Sequence, residues 1–121
     1  MKRLFIFLLC LAFGCGKPLP KFENVDLDKW KNDKNGCKGE RLKMFKLFDA
    51  QKDKLKGLSE DEILKLLGRP DRNELYKRSQ KFYEYFIEPG PVCRNDSSDL
   101  ILSVRFNAVG LAKEISVVAI D

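Results

Sequence analysis

The apolar residues of this chain repeat with one period before Pro70 and with another after it, and that change restricts the fold more than any other feature. Between about Gly39 and Lys54, Leu42, Phe45 and Phe48 recur at helical spacing, continued by Leu55, with Met44 and Leu47 beside them and lysines between. Such a repeat lines one face of an amphipathic helix. A second helix start is written in Leu58-Ser59-Glu60-Asp61-Glu62-Ile63. Ser59 is the N-cap, Glu62 three places on closes a capping box, and Leu58 with Ile63 forms the hydrophobic staple. Acidic residues in the first turn suit the positive end of the helix dipole, and Gly68 with Pro70 stops the helix after about Leu67.

Beyond Pro70 the period is two. Tyr83, Tyr85 and Ile87 alternate with Phe82, Glu84 and Phe86, and Leu100, Leu102, Val104 and Phe106 alternate with Ile101, Ser103 and Arg105. Asn107-Ala108-Val109-Gly110 reads as a turn, and Ile115, Val117 and Ala119 share one face of a last strand. Helices followed by an antiparallel meander imply an α+β domain with two helices packed on one face of a three-stranded antiparallel sheet, in the order ααβββ. If Tyr83, Tyr85, Leu102, Val104 and Ile115 face the helices, then Phe82, Phe86, Ile101, Val118 and Ile120 point away from them. Those residues are expected to form an exposed apolar patch, a candidate partner-binding surface.

The N-terminus is an address. Lys2 and Arg3 precede an unbroken apolar run from Leu4 to Phe13, shorter than the roughly 20 residues a membrane-spanning helix needs. Small Gly14 then precedes Cys15, followed by a polar stretch broken by Pro18 and Pro20. A signal core ending in a small residue and a cysteine resembles the bacterial lipoprotein signal. That resemblance implies that Cys15 is acylated, with chains such as palmitate, and becomes the new N-terminus. Ala12-x-Gly14 also fits an ordinary secretory cleavage site, which gives the alternative of a secreted or periplasmic soluble protein. The expected division is residues 1–14 signal peptide, 15–38 lipidated cysteine and tether, and 39–121 the α+β domain. In the tether, Trp30 is expected to dock the arm onto the domain as an apolar lid.

Removing residues 1–14 takes two cations with it, so the formal charge of +5 falls to +3 and no block of charge remains to suggest a nucleic-acid partner. Of the four cysteines, Cys10 leaves with the signal and Cys15 is consumed, so Cys37 and Cys93 are left as a disulfide pair in an oxidising compartment.

The chain has no histidine, which removes Ser-His-Asp and Cys-His machinery and zinc sites that use His. Asp49-x-Gln51-x-Asp53 with Glu60 has the length of a calcium loop, but Lys54 stands where the sharp turn needs Gly and Lys56 where an apolar residue is usual. Glu84, Glu88, Asp96 and Asp99 are the carboxylates nearest to a glycosidase pair, and a solvated strand and turn explain them better. The chain is therefore expected to be non-catalytic, with no cofactor and no metal.

Gly57-Leu58-Ser59-x-x-Glu62-Ile63-x-x-Leu66-Leu67-Gly68-Arg69-Pro70, an aromatic strand around Tyr83-Glu84-Tyr85, and Leu102-x-Val104-x-Phe106-Asn107-x-x-Gly110 together carry a family resemblance. Over about residues 40–118 the chain resembles the small outer-membrane assembly lipoproteins of the BamE (SmpA/OmlA) type, whose helix-helix-three-strand unit also occurs in β-lactamase-inhibitory proteins. The resemblance implies an outer-membrane lipoprotein of the bacterial envelope that faces the periplasm and binds another envelope protein. The alternative is a secreted or anchored inhibitor of an enzyme such as a lysozyme or β-lactamase, acting through the 88–99 loop pinned by Cys93. The Cys37/Cys93 pair and the length of that loop stand outside the family pattern.

Overall fold

A computed structural model describes residues 18–76, 80–89, 93 and 99–120, with residues 74–76, 99 and 120 described by their backbone alone. Among these residues three α-helices, α1 (Leu27–Asn32), α2 (Glu40–Asp49) and α3 (Glu60–Leu67), precede four strands, β1 (Arg72–Tyr76), β2 (Gln80–Phe86), β3 (Asp99–Phe106) and β4 (Ala112–Ile120). Short 3-10 turns at Lys34–Gly36 and Lys52–Leu55 follow α1 and α2. The strands form one antiparallel sheet in the order β1-β2-β3-β4. The fold is α+β, but the sheet has four strands where three were expected. Arg72-Asn73-Glu74-Leu75-Tyr76 lacks the alternation that marks a half-buried strand, and it forms β1 because β2 offers a free edge (Arg72 opposite Glu84, Asn73 opposite Tyr83).

The main core lies between the helices and one face of the sheet. Trp30, Met44, Phe48, Leu55, Ile63, Leu66 and Leu67 meet Tyr83, Tyr85, Ile87, Leu102, Val104, Phe106, Ala112 and Ile115. α3 starts as its sequence specifies: the Ser59 Oγ accepts from the Glu62 N–H at 3.3 Å, and the Glu62 Oε1 accepts from the Ser59 N–H at 3.0 Å. Between β3 and β4, the Asn107 Oδ1 accepts from the Val109 and Leu111 N–H groups at 3.1 and 3.0 Å, closing the expected turn.

Two expectations are corrected. On α2 the buried residues are Arg41, Met44 and Phe48, at i, i+3 and i+7, while Leu42 and Leu47 are exposed. The helix is rotated from the expected face because a core position is held by Arg41. The stretch before residue 39 is also more than a tether: within the described part, Phe22 and Trp30 belong to the core. Phe22 stacks on Phe48 at 5.1 Å and Trp30 stacks on the same ring at 4.5 Å. Gln51 grips this segment like a strand neighbour, its Nε2 donating to the Glu23 carbonyl at 2.9 Å and its Oε1 accepting from the Glu23 N–H at 2.7 Å. A helix of six residues with two apolar side chains, Leu27 and Trp30, leaves no readable period, so α1 was not visible in sequence.

Candidate functional site

Arg41 is fully buried, and a cation in that position requires a counter-charge and acceptors for its donors. Its Nη1 donates to the Asp71 Oδ2 at 2.6 Å and to the Phe86 carbonyl at 3.0 Å, and its Nε donates to the Trp30 carbonyl at 3.0 Å. The guanidinium sits 5.3 Å from the centre of the Trp30 ring and 5.7 Å from that of Tyr85. Asp71 is fully used: its Oδ1 accepts from the Asn35 N–H at 2.9 Å, and its Oδ2 also accepts from the Phe86 N–H at 2.8 Å. Buried Asp33 caps the adjacent turn, accepting from the N–H groups of Lys38 at 2.6 Å and Arg41 at 3.0 Å. One arginine and two aspartates thus fasten α1, the 34–36 turn, α2, the loop after α3 and the end of β2 to one another.

A cleft of about 200 Å³ opens over this junction, lined by Lys31, Lys34, Asn35, Arg69, Pro70 and Asp71. It is smaller than the several hundred Å³ of a typical drug-sized ligand pocket. Lys31 is held in place because its stem packs on Gly68, where a Cβ would stand 3.1 Å from the Lys31 Cγ. Beside the cleft, Cys37 and Cys93 are joined as a disulfide with Cα atoms 5.6 Å apart, and both residues are exposed. Gly36 is required in the turn before Cys37: its φ is +68°, and a Cβ there would lie 2.8 Å from the Glu88 carbonyl oxygen and 2.9 Å from that of Phe86.

The sheet face away from the helices differs from the open patch expected. Phe86, Ile101 and Val118 do form one cross-strand row, but Phe86 and Ile101 are buried, at 4% and 0% exposure, while Phe82 is half-buried. Val118, at 41%, is the member that faces solvent; the side chain of Ile120 lies outside the described residues. One cover is the Arg72 guanidinium, 5.4 Å from the Phe86 ring centre and brought there by the unforeseen β1. The neighbouring rows are polar, with Glu84 opposite Ser103 and an Arg105–Glu114 ion pair at 3.2 Å. Phe86→Ala is accordingly expected to lower stability by about 3 kcal/mol, as for a buried aromatic, and Val118→Ser by less than about 0.5 kcal/mol. Urea unfolding of the two variants compares them.

At the other end of the sheet the Tyr83 hydroxyl donates to the Glu60 Oε1 at 3.0 Å, which Lys81 also meets at 3.1 Å. Burial, then the Glu60 carboxylate, push the Tyr83 pKa up to about 12. Burial likewise raises that of Tyr85, whose hydroxyl donates to the Gly68 carbonyl at 2.9 Å. A tyrosine in the unfolded chain ionises near 10, so both groups add stability that is complete below about pH 10 and is lost as the pH rises toward 12. Tyr83→Phe is expected to flatten the decline in urea midpoint between about pH 10 and 12.

The other residues singled out in sequence are not gathered into a site. Asp49 pairs with Lys52 at 3.0 Å and Asp53 with Lys56 at 3.7 Å, so neither faces a shared cation site. Glu84 pairs with Arg72 at 3.3 Å. Cys15, Asp96 and most of the 88–99 loop lie outside the described residues. Among the described residues no group of three or more Cys, Asp or Glu is placed to hold a metal ion, and no helix is long and apolar enough to cross a membrane. The basic cleft was not legible in the sequence, because Arg69 lies far along the chain from Lys31 and Lys34 and joins them only through the Arg41–Asp71 junction. Compared with known protein families, with curated proteins and with solved structures, this chain has no match.

Proposed function

We propose that this chain is a lipid-anchored protein of the bacterial cell envelope that acts by binding another envelope protein, in the manner of an outer-membrane assembly accessory. The observation that carries the reading is the Cys37–Cys93 disulfide between two exposed residues of a chain that opens on a signal-like segment ending at Cys15. Such a bond persists where the surroundings are oxidising, as outside the cytoplasm. α2, α3 and β2–β4 follow one another in the ααβββ order that the BamE-type resemblance implies, with β1 as an added edge that it does not imply. The mechanism is docking, and the fold serves it by rigidity, since the junction on Arg41 holds five segments in one arrangement.

Mass spectrometry of the mature N-terminus tests the anchor: a diacylglyceryl group on Cys15 is the expected result, and an unmodified cleaved terminus would overturn it. In-cell crosslinking tests the partner, with recovery of a β-barrel assembly component expected. Recovery of a lysozyme or β-lactamase would favour the second reading, an inhibitor that presents the 88–99 loop. That reading has its own support, because the bond to Cys37 pins the loop at Cys93 beside the end of β2.

A further inference from the structure

We infer that the cleft lined by Lys31, Lys34, Asn35 and Arg69 is a binding site for a phosphoryl group, independent of the protein-docking role. The charges around it are out of balance. Asp71 is the sole carboxylate in the lining among the described residues, and its charge is neutralised within the core by Arg41 at 2.6 Å. Both of its oxygens are also taken by the N–H groups of Asn35 and Phe86. Lys34 and Arg69 are exposed and have no carboxylate partner among the described residues, and Lys31 has only a distant one in exposed Asp28, at 4.0 Å. Among the described residues, three cations therefore border one small cleft with no free carboxylate of their own, an arrangement that favours the entry of an anion.

The frame of the cleft stands before any ligand arrives. Asn35 is fixed by its N–H bond to Asp71, Lys31 is laid on Gly68, and the disulfide at Cys37 ties the 34–36 turn to residue 93. Of the three cations, Lys31 is held by packing, while Lys34 and Arg69 are exposed side chains on a fixed backbone. The cations converge from three segments: α1, the turn after it, and the loop between α3 and β1. A carboxylate offers two oxygens in one plane and is satisfied by a single guanidinium fork. A phosphoryl group offers oxygens in tetrahedral directions, which suits one fork and two ammonium groups arriving from different sides. A volume of about 200 Å³ admits such a group with a short substituent.

A phosphoryl group could reach the cleft as a soluble monoester or as the diester headgroup of a phospholipid, and the experiment separates the two. The full chain carrying Cys15→Ser, which has no acyl anchor on that residue, is titrated at constant ionic strength with inorganic phosphate, glycerol 3-phosphate and glycerophosphoglycerol. Amide shifts of Lys34, Asn35 and Arg69 are followed by NMR. Saturable shifts confined to this region are expected, weakened about tenfold by Lys34→Gln or by Arg69→Gln. Both side chains are exposed, so the near-ultraviolet dichroism of Trp30 should be unchanged in either variant. Saturation by inorganic phosphate and the monoester but not by the diester identifies a soluble phosphate, and equal or tighter binding of the diester identifies a lipid headgroup. Shifts that never saturate, that survive both substitutions together, or that acetate or a glutamate-rich peptide reproduces would overturn the assignment. None of these outcomes depends on whether Cys15 is acylated or which protein the chain docks.

Discussion

Replacing Arg41 with methionine is expected to destabilise the folded chain by about 3–5 kcal/mol, a large part of the total for a domain of this size. Methionine fills most of the space, so the loss is electrostatic. Asp71, whose side chain is 3% exposed, would be left with an uncompensated charge, and the Trp30 and Phe86 carbonyls would lose their shared donor. The double variant Arg41→Met/Asp71→Leu should recover part of the loss, because it removes the orphaned charge. Recovery should be incomplete, since the N–H groups of Asn35 and Phe86 then lose their acceptor. Urea unfolding followed by the fluorescence of Trp30, the sole tryptophan, measures all three. A loss below about 1 kcal/mol in the single variant would mean that water or rearranged acceptors can replace the arginine.

What the sequence disclosed was the local part of this architecture. The capping box at Ser59, the stop at Gly68 and the turn at Asn107 are each decided within a few residues, and all three stand where the spacing put them. The strand alternation gave the side-chain facing of β2, β3 and β4 correctly, because period two fixes facing whatever lies opposite. Facing does not determine cover, however. Phe86 and Ile101 point away from the helices as expected and are buried all the same, with the Arg72 of a strand that has no alternation of its own lying over Phe86. Arg41 was concealed for a related reason. A pattern of apolar residues places Met44, Phe45 and Phe48 of α2 correctly but adds Leu42 and Leu47 in error when a core position is taken by a cation whose partners, Asp33 and Asp71, lie 8 and 30 residues away. In the candidate site, the pairing of Cys37 with Cys93 was legible by elimination. The cleft was not, since Arg69 meets Lys31 and Lys34 only after Asp71 has clipped the 34–36 turn to the loop following α3.

Loss of the disulfide, by Cys37→Ser with Cys93→Ser or by reduction, is expected to lower stability by about 4 kcal/mol for two cysteines 56 residues apart, if the chain-entropy account holds. Both residues are exposed, so little packing is lost with the sulfur atoms. The turn bearing Cys37 is also held without the bond, by the Asn35 N–H on Asp71, the Lys38 N–H on Asp33 and the close passage of Gly36 against the Phe86 and Glu88 carbonyls. The folded structure around residues 34–38 should therefore survive, and the effect should fall on the unfolded chain, which gains the conformations that the crosslink forbade. Two measurements separate this from a native-state role. Near-ultraviolet dichroism of Trp30 should be the same in oxidised and reduced protein, while the urea midpoint falls and the slope of the transition steepens as the unfolded chain exposes more surface. Equal midpoints would show that the bond does not constrain the chain as its span implies. A changed Trp30 signal would place its contribution in the folded state, through the junction that Arg41, Asp33 and Asp71 build beside it.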